Sequence, residues 1–223
     1  MKSIRIALAA ALAAAALAGC GEKEETLGDE TAVFGPGVTA TQPPWKPEYS
    51  RLEARIEQLG LPPVGDERYH SHALLHIYND GLLVEVPESV GFDERNKVYS
   101  SVHTHEPNGV VHMESSKPHK FTLGEFFTIW GVRFGSKTLG SLTNDGGKQV
   151  HVFVNGKRIQ NPVDHVMREG DNISIGYGAA DSFPHEPDTK PLESVTGKGK
   201  QSSCSSDPEK GDKSKGCVDT GKS

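Results

Sequence analysis

Four short segments of this chain alternate strictly between two kinds of side chain. In HSHALLHIY, Ala73, Leu75 and Ile77 fall on one parity, and His70, His72 and His76 on the other. In SVHTH, Val102 and Thr104 alternate with His103 and His105. In VVHME, Val111 and Met113 alternate with His112 and Glu114. In QVHVFV, Val150, Val152 and Val154 alternate with His151 and Phe153. Successive side chains of a strand point to opposite faces, so this period of two reads as half-buried β-strand and not as helix. Each segment therefore has an aliphatic face for a core and a histidine-bearing face turned away from it.

Turn chemistry separates these segments into hairpins. Asn79-Asp80-Gly81 follows the first and precedes LLVEVP, and Asn155-Gly156 sits between QVHVFV and KRIQ. Both are hairpin signals, because Asn, Asp and Gly tolerate the positive φ of a tight turn. Pro107-Asn108-Gly109 divides SVHTH from VVHME. DNISIGYG reads as a last strand, and KFTLGEFFTIWGV reads as a helix. In that helix Thr122 can cap, Glu125 completes a capping box, Phe121 can staple onto Phe126, and Gly131 ends it. Phe121, Phe126, Ile129 and Trp130 form its core stripe. The order of elements predicts an α+β domain over residues 69–179: a mostly antiparallel sheet of hairpins with one packed helix. It resembles β-grasp domains by element order alone, and a small β-sandwich or barrel is the alternative.

The flanks have a different character. MKSIRIALAAALAAAALAGC has a basic start (Lys2, Arg5), then an apolar run from Ile6 to Ala18, too short for a membrane span. Residues 1–19 read as an export signal. Leu17-Ala18-Gly19-Cys20 resembles the bacterial lipobox, which implies cleavage before Cys20 and acylation of it. Such a chain would be held at the extracytoplasmic face of a membrane through lipid on Cys20, the plasma membrane in a Gram-positive cell. The net charge is −6, and loss of Lys2 and Arg5 with the signal makes the remainder more acidic. An acidic chain argues against nucleic acid and against polybasic contact with anionic lipid. Of three cysteines, Cys204 and Cys217 remain, and an oxidising compartment permits one disulfide between them. Residues 20–45 read as a flexible linker and 46–62 as a short helix, with Tyr49, Leu52, Ile56 and Leu59 at helical spacing and Gly60 at its end. Residues 180–223, rich in Lys, Ser, Gly, Asp and Pro, read as a disordered tail.

The ten histidines carry the chemistry. With a four-residue loop at the Pro-Asn-Gly turn, His103 faces His112. With a two-residue turn, His105 does. The remaining imidazole then lies diagonally across the ladder, about 7–8 Å away by Cα and within reach of a common ion. Neutral imidazole suits zinc, copper, iron and nickel. His103, His105 and His112 are therefore candidate metal ligands, and Glu114, on their face, is a fourth ligand or an orienting carboxylate. His70 and His72 either complete this site or form a second one, depending on strand order. His119, His165 and His185 read as surface residues, and Met113 as core. Phosphate-loop, dinucleotide, G-x-S-x-G and H-E-x-x-H motifs are absent, so no catalytic residue is assigned.

HSHALLHIYNDG, SVHTHEPNGVVHMES and FTLGEFFTIWG, together with Cys20, resemble segments of a group of uncharacterised bacterial envelope proteins. Their shared patterns are H-x-H, H-T-H-(D/E)-x-x-G-(V/I)-(V/I)-H-(V/M)-E-S and F-T-L-G-x-F-F. The resemblance spans Tyr69 to Gly178 and implies domain limits but no activity. The His-x-His with a later His is also similar to cupins, but Glu106 comes too early for that spacing and the paired glycine framework is missing. The expectation is thus a lipid-anchored envelope protein binding copper or zinc, in a binding or delivery role. The alternatives are a metal-free module that docks an envelope protein partner, and a cupin-like metal-dependent enzyme.

Overall fold

The structure is a computed structural model that describes residues 32–65 and 69–196. The signal segment, Cys20, Cys204 and Cys217 lie outside the described residues. The elements in chain order are α1 (Leu52–Leu59), β1 (His70–Asn79), β2 (Leu82–Val84), β3 (Phe92–Asp93), β4 (Val98–Tyr99), β5 (Val102–His103) and β6 (Val110–Glu114). They continue with α2 (Leu123–Trp130), β7 (Thr138–Leu139), β8 (Leu142–Thr143), β9 (Gln149–Val154), β10 (Lys157–Arg158), β11 (Asp171–Gly178) and α3 (Lys190–Thr196). The fold is α+β. A mixed, mostly antiparallel sheet runs β10-β9-β11-β1-β6-β5, with β2 also on β1, and β3–β4 and β7–β8 form two small ribbons. Among the described residues no closed barrel forms. The first and last long strands, β1 and β11, pair in parallel at the centre, and the likeness to β-grasp domains rests on that pair and on α2 packed against one face.

Local chemistry explains the hairpins. Asp80-Gly81 and Asn155-Gly156 form two-residue turns with positive φ at every position, closing Asn79 onto Leu82 and Val154 onto Lys157. The loop between β5 and β6 takes the four-residue form, so His103 faces His112. Gly109 at φ 82 locks this loop to β1: its carbonyl accepts from the Leu75 N–H at 2.8 Å, and a Cβ there would meet the Leu75 carbonyl oxygen at 2.3 Å.

The aliphatic parity is the core. Ala73, Leu75, Ile77, Val102, Val111, Met113, Val150, Val152, Val154, Ile173 and Ile175 pack against α2. Thr122 accepts from the Glu125 N–H at 3.1 Å and the Glu125 carboxylate accepts from the Thr122 N–H at 2.7 Å, which completes the capping box. The helix is buried further round than one stripe, with Phe127 as enclosed as Phe126. A second layer covers it. Trp45 meets Trp130 edge-on at 6.0 Å, the Val33 N–H donates to the Phe134 carbonyl, and Thr39 bridges to Val132. Arg55 of α1 is fully buried and donates to the carbonyls of Pro36 at 2.8 Å and Ile129 at 3.2 Å, and to Glu48.

Both expected boundaries shift. Residues 32–45, read as linker, pack on the domain, because Trp45 fills the outer side of α2. Residues 180–196, read as tail, also stay on it. Phe183 joins Tyr78 and Phe153, and Leu192 of α3 joins Leu74 and Val110, on the face of the sheet away from α2. The helix expected over 46–62 is confined to α1, ended by Gly60 in the left-handed conformation.

Candidate metal centre

The second face of the sheet is divided. Phe183 covers it over β9, β11 and the end of β1, and Leu192 of α3 covers Leu74 of β1 and Val110 of β6. At the β1–β6–β5 edge it carries histidine. Pairing sets His72 opposite His112, His70 opposite Glu114, and His103 opposite His112. Imidazoles two pleats apart in the sequence thereby become lateral neighbours. His105 lies just past β5, in the loop that Gly109 fixes.

Two groups of side chains here could hold a metal ion: His103, His105, His112 and Glu114, and His70, His72 and His112. Within each group the ligand atoms lie within 4.8 Å of one another. In the first, His103 Nε2 is 3.1 Å from His105 Nε2. Glu114 Oε1 is 3.5 Å from His112 Nδ1, 3.8 Å from His103 Nε2 and 3.9 Å from His105 Nε2. A tetrahedral ion with bonds of about 2.0 Å has ligand atoms about 3.3 Å apart, so these gaps need only small side-chain shifts to close on an ion. Glu114 Oε1 is also 2.9 Å from His70 Nε2, and His70 Nε2 is 3.5 Å from His112 Nδ1.

Electrostatics keeps the imidazoles in the ligating form. Burial, reinforced by His105 and His112, lowers the His103 pKa to about 3. Burial, followed by His105, His72 and His70, lowers that of His112 to about 3. His72 is lowered by burial and by His70. All three are neutral at pH 7 and offer a lone pair. His103 Nδ1 lies 3.0 Å from the Ser100 carbonyl, to which only an N–H can donate, so Nε2 is the free acceptor and faces His105. Phe92 of β3 stacks on the His103 ring at 4.0 Å between centroids and 19° between planes.

Three partners of this centre carry no sequence signal. Phe92 lies in a ribbon too short to show periodicity, and Ser100 follows that ribbon directly. Glu169 comes from a turn before β11, accepts from the His72 N–H at 2.7 Å, and lies 3.4 Å from His72 Nδ1. Other histidines depart from the surface reading. His119 pairs with the capping Glu125 at 3.0 Å, His165 with Asp171 at 3.1 Å, and His185 stacks on Phe153 at 3.7 Å. Each is half-buried and braces a loop. His76 and His151 share the ligand parity but belong to neither group. Met113 points into the core. Among the described residues no helix is long and apolar enough to cross a membrane.

Comparisons with protein-family models, with curated proteins and with solved structures found no match.

Proposed function

We propose that this protein is a membrane-anchored extracytoplasmic lipoprotein that binds copper or zinc at His103, His105, His112 and Glu114, in a binding or delivery role. The convergence of three imidazoles and a carboxylate from two paired strands and their loop carries this reading. The donor set is three nitrogens and one oxygen, with the thioether of Met113 turned into the core. That set suits zinc or copper(II) more than copper(I), which favours sulfur. Sequestering metal behind Phe92, with His105 exposed at the rim, fits holding and passing on an ion. The anchor rests on Lys2, Arg5, the apolar run and Leu17-Ala18-Gly19-Cys20.

The test is titration of zinc and copper(II) into the full chain prepared without a histidine tag, followed by calorimetry and competition with a chelator. The expected result is stoichiometric binding that weakens at least about 100-fold in a His103→Ala/His105→Ala/His112→Ala variant, since two or more ligands are lost from one ion. His105→Ala alone removes an exposed ring without touching the core and should weaken binding about 10-fold or more. Equal affinity in the wild type and both variants would remove the proposal.

A further inference from the structure

The five imidazoles of this face do not form one set. His103 and His105 group with His112 and Glu114, whereas His70 and His72 group with His112 alone. An ion with bonds of about 2.1 Å can only join atoms within about 4.2 Å of one another, and a single position cannot gather both sets. Two side chains lie on the seam. His112 belongs to both groups and has two ring nitrogens. Glu114 Oε1 approaches His70 Nε2 at 2.9 Å on one side, and His103 and His105 at 3.8 and 3.9 Å on the other.

The second set also has its own supporting carboxylate. Glu169 holds the His72 backbone N–H at 2.7 Å and lies 3.4 Å from Nδ1 of the ring. A carboxylate beside one ring nitrogen leaves the other for a metal, the same division of labour that the Ser100 carbonyl imposes on His103. A buried structural histidine needs no such pair of nitrogens turned toward its neighbours. The two halves differ in access: the His103 side chain is 0 % exposed and that of His70 28 %.

We infer that the cluster is a two-ion centre. An inner ion sits on His103, His105, His112 and Glu114, an outer ion sits on His70 and His72, and His112 and Glu114 are shared between them, His112 as an imidazolate whose N–H proton is released to solvent when the second ion binds. This rests on the metal-binding reading above and extends it. The outer ion has fewer protein ligands and faces solvent, so it takes water in its open positions and exchanges first. Repulsion between two dications is offset by the carboxylates of Glu114 and Glu169, both of which contact the outer histidines. The inner ion is held on a closed set of four and is retained.

The full chain without a histidine tag, loaded with zinc and desalted, should retain two zinc ions per chain by native mass spectrometry and elemental analysis. A His70→Gln/His72→Gln variant should retain one, with its unfolding midpoint close to that of the metal-free wild type or above it. Transfer of zinc to a chromogenic chelator should be biphasic in the wild type and show only the slow phase in the variant. Loaded with copper(II), the wild type should give an exchange-coupled electron paramagnetic resonance spectrum, and the variant a mononuclear one. One ion in the wild type overturns the two-ion centre and leaves the metal-binding reading standing, whether the variant holds one or none. Two ions in both proteins place the second ion elsewhere and also overturn it, as do two uncoupled copper signals. No bound zinc or copper in the wild type removes the underlying reading itself.

Discussion

At the residue scale, His103 and His112 are held neutral by burial first and by the neighbouring histidines second. His103 and His112 have folded-state pKa values of about 3, against about 6.5 in an unfolded chain. Between those values the unfolded chain binds more protons, so stability rises with pH across the window. The contribution is complete above about pH 6.5 and drains away as the pH falls toward 3, at about 1.4 kcal/mol per pH unit for each imidazole. We predict that the urea midpoint of the metal-free protein falls steadily from pH 7 to pH 5, a range above the titration of most carboxylates. A flat profile there would contradict the burial of these rings. Saturating zinc should raise stability at pH 7 and steepen the profile, because protons then compete with the ion. The residue pattern was legible: His103, His105, His112 and Glu114 were placed on one face by parity alone. Phe92 and Glu169 were not, because a single side chain in a short ribbon or turn has no period to read.

At the element scale, the site depends on strands that are short but pinned at their ends. β5 has two residues, and its ligand-bearing loop is fixed by Gly109 against β1. The helix behind the sheet is set by its cap. Thr122→Ala removes the acceptor for the Glu125 N–H and should cost about 1 kcal/mol in urea unfolding, whereas Thr122→Ser, which keeps a hydroxyl, should stay close to the wild type. Equal loss in both variants would assign the effect to packing of the threonine methyl and not to capping. Such local grammar was readable because a cap, a turn and a hairpin are decided within about five residues. The loop register at Pro107-Asn108-Gly109 was not, since both registers close a hairpin and the contact of Gly109 with Leu75 chooses between them.

At the scale of the whole molecule, the domain is larger than its alternating segments. Trp45, Leu52 and Leu61 from before β1, and Phe183 and Leu192 from after β11, are all buried. Each such side chain stabilises by about 1.5–3 kcal/mol on burial. Five of them together rival the whole stability of an ordinary domain, about 5–15 kcal/mol. We therefore predict that residues 32–196 unfold in one cooperative transition by calorimetry, and that residues 69–179 alone show none or a midpoint lower by tens of degrees. A fragment as stable as the longer chain would make the flanking layers dispensable.

Alternation by itself determined the strands, the division of their faces and the histidines that share one of them, because strand geometry ties sequence parity to direction. Capping and turn residues likewise determined α2 and two hairpins. Only the tertiary structure decided strand order, and with it that His72 and His70 face His112 and Glu114 across β1 and β6. It also decided which glycine- and proline-rich flanks belong to the domain. Those outcomes depend on contacts between residues far apart in the chain, such as Trp45 with Trp130 and Leu192 with Leu74, and a local pattern carries no record of such a partner.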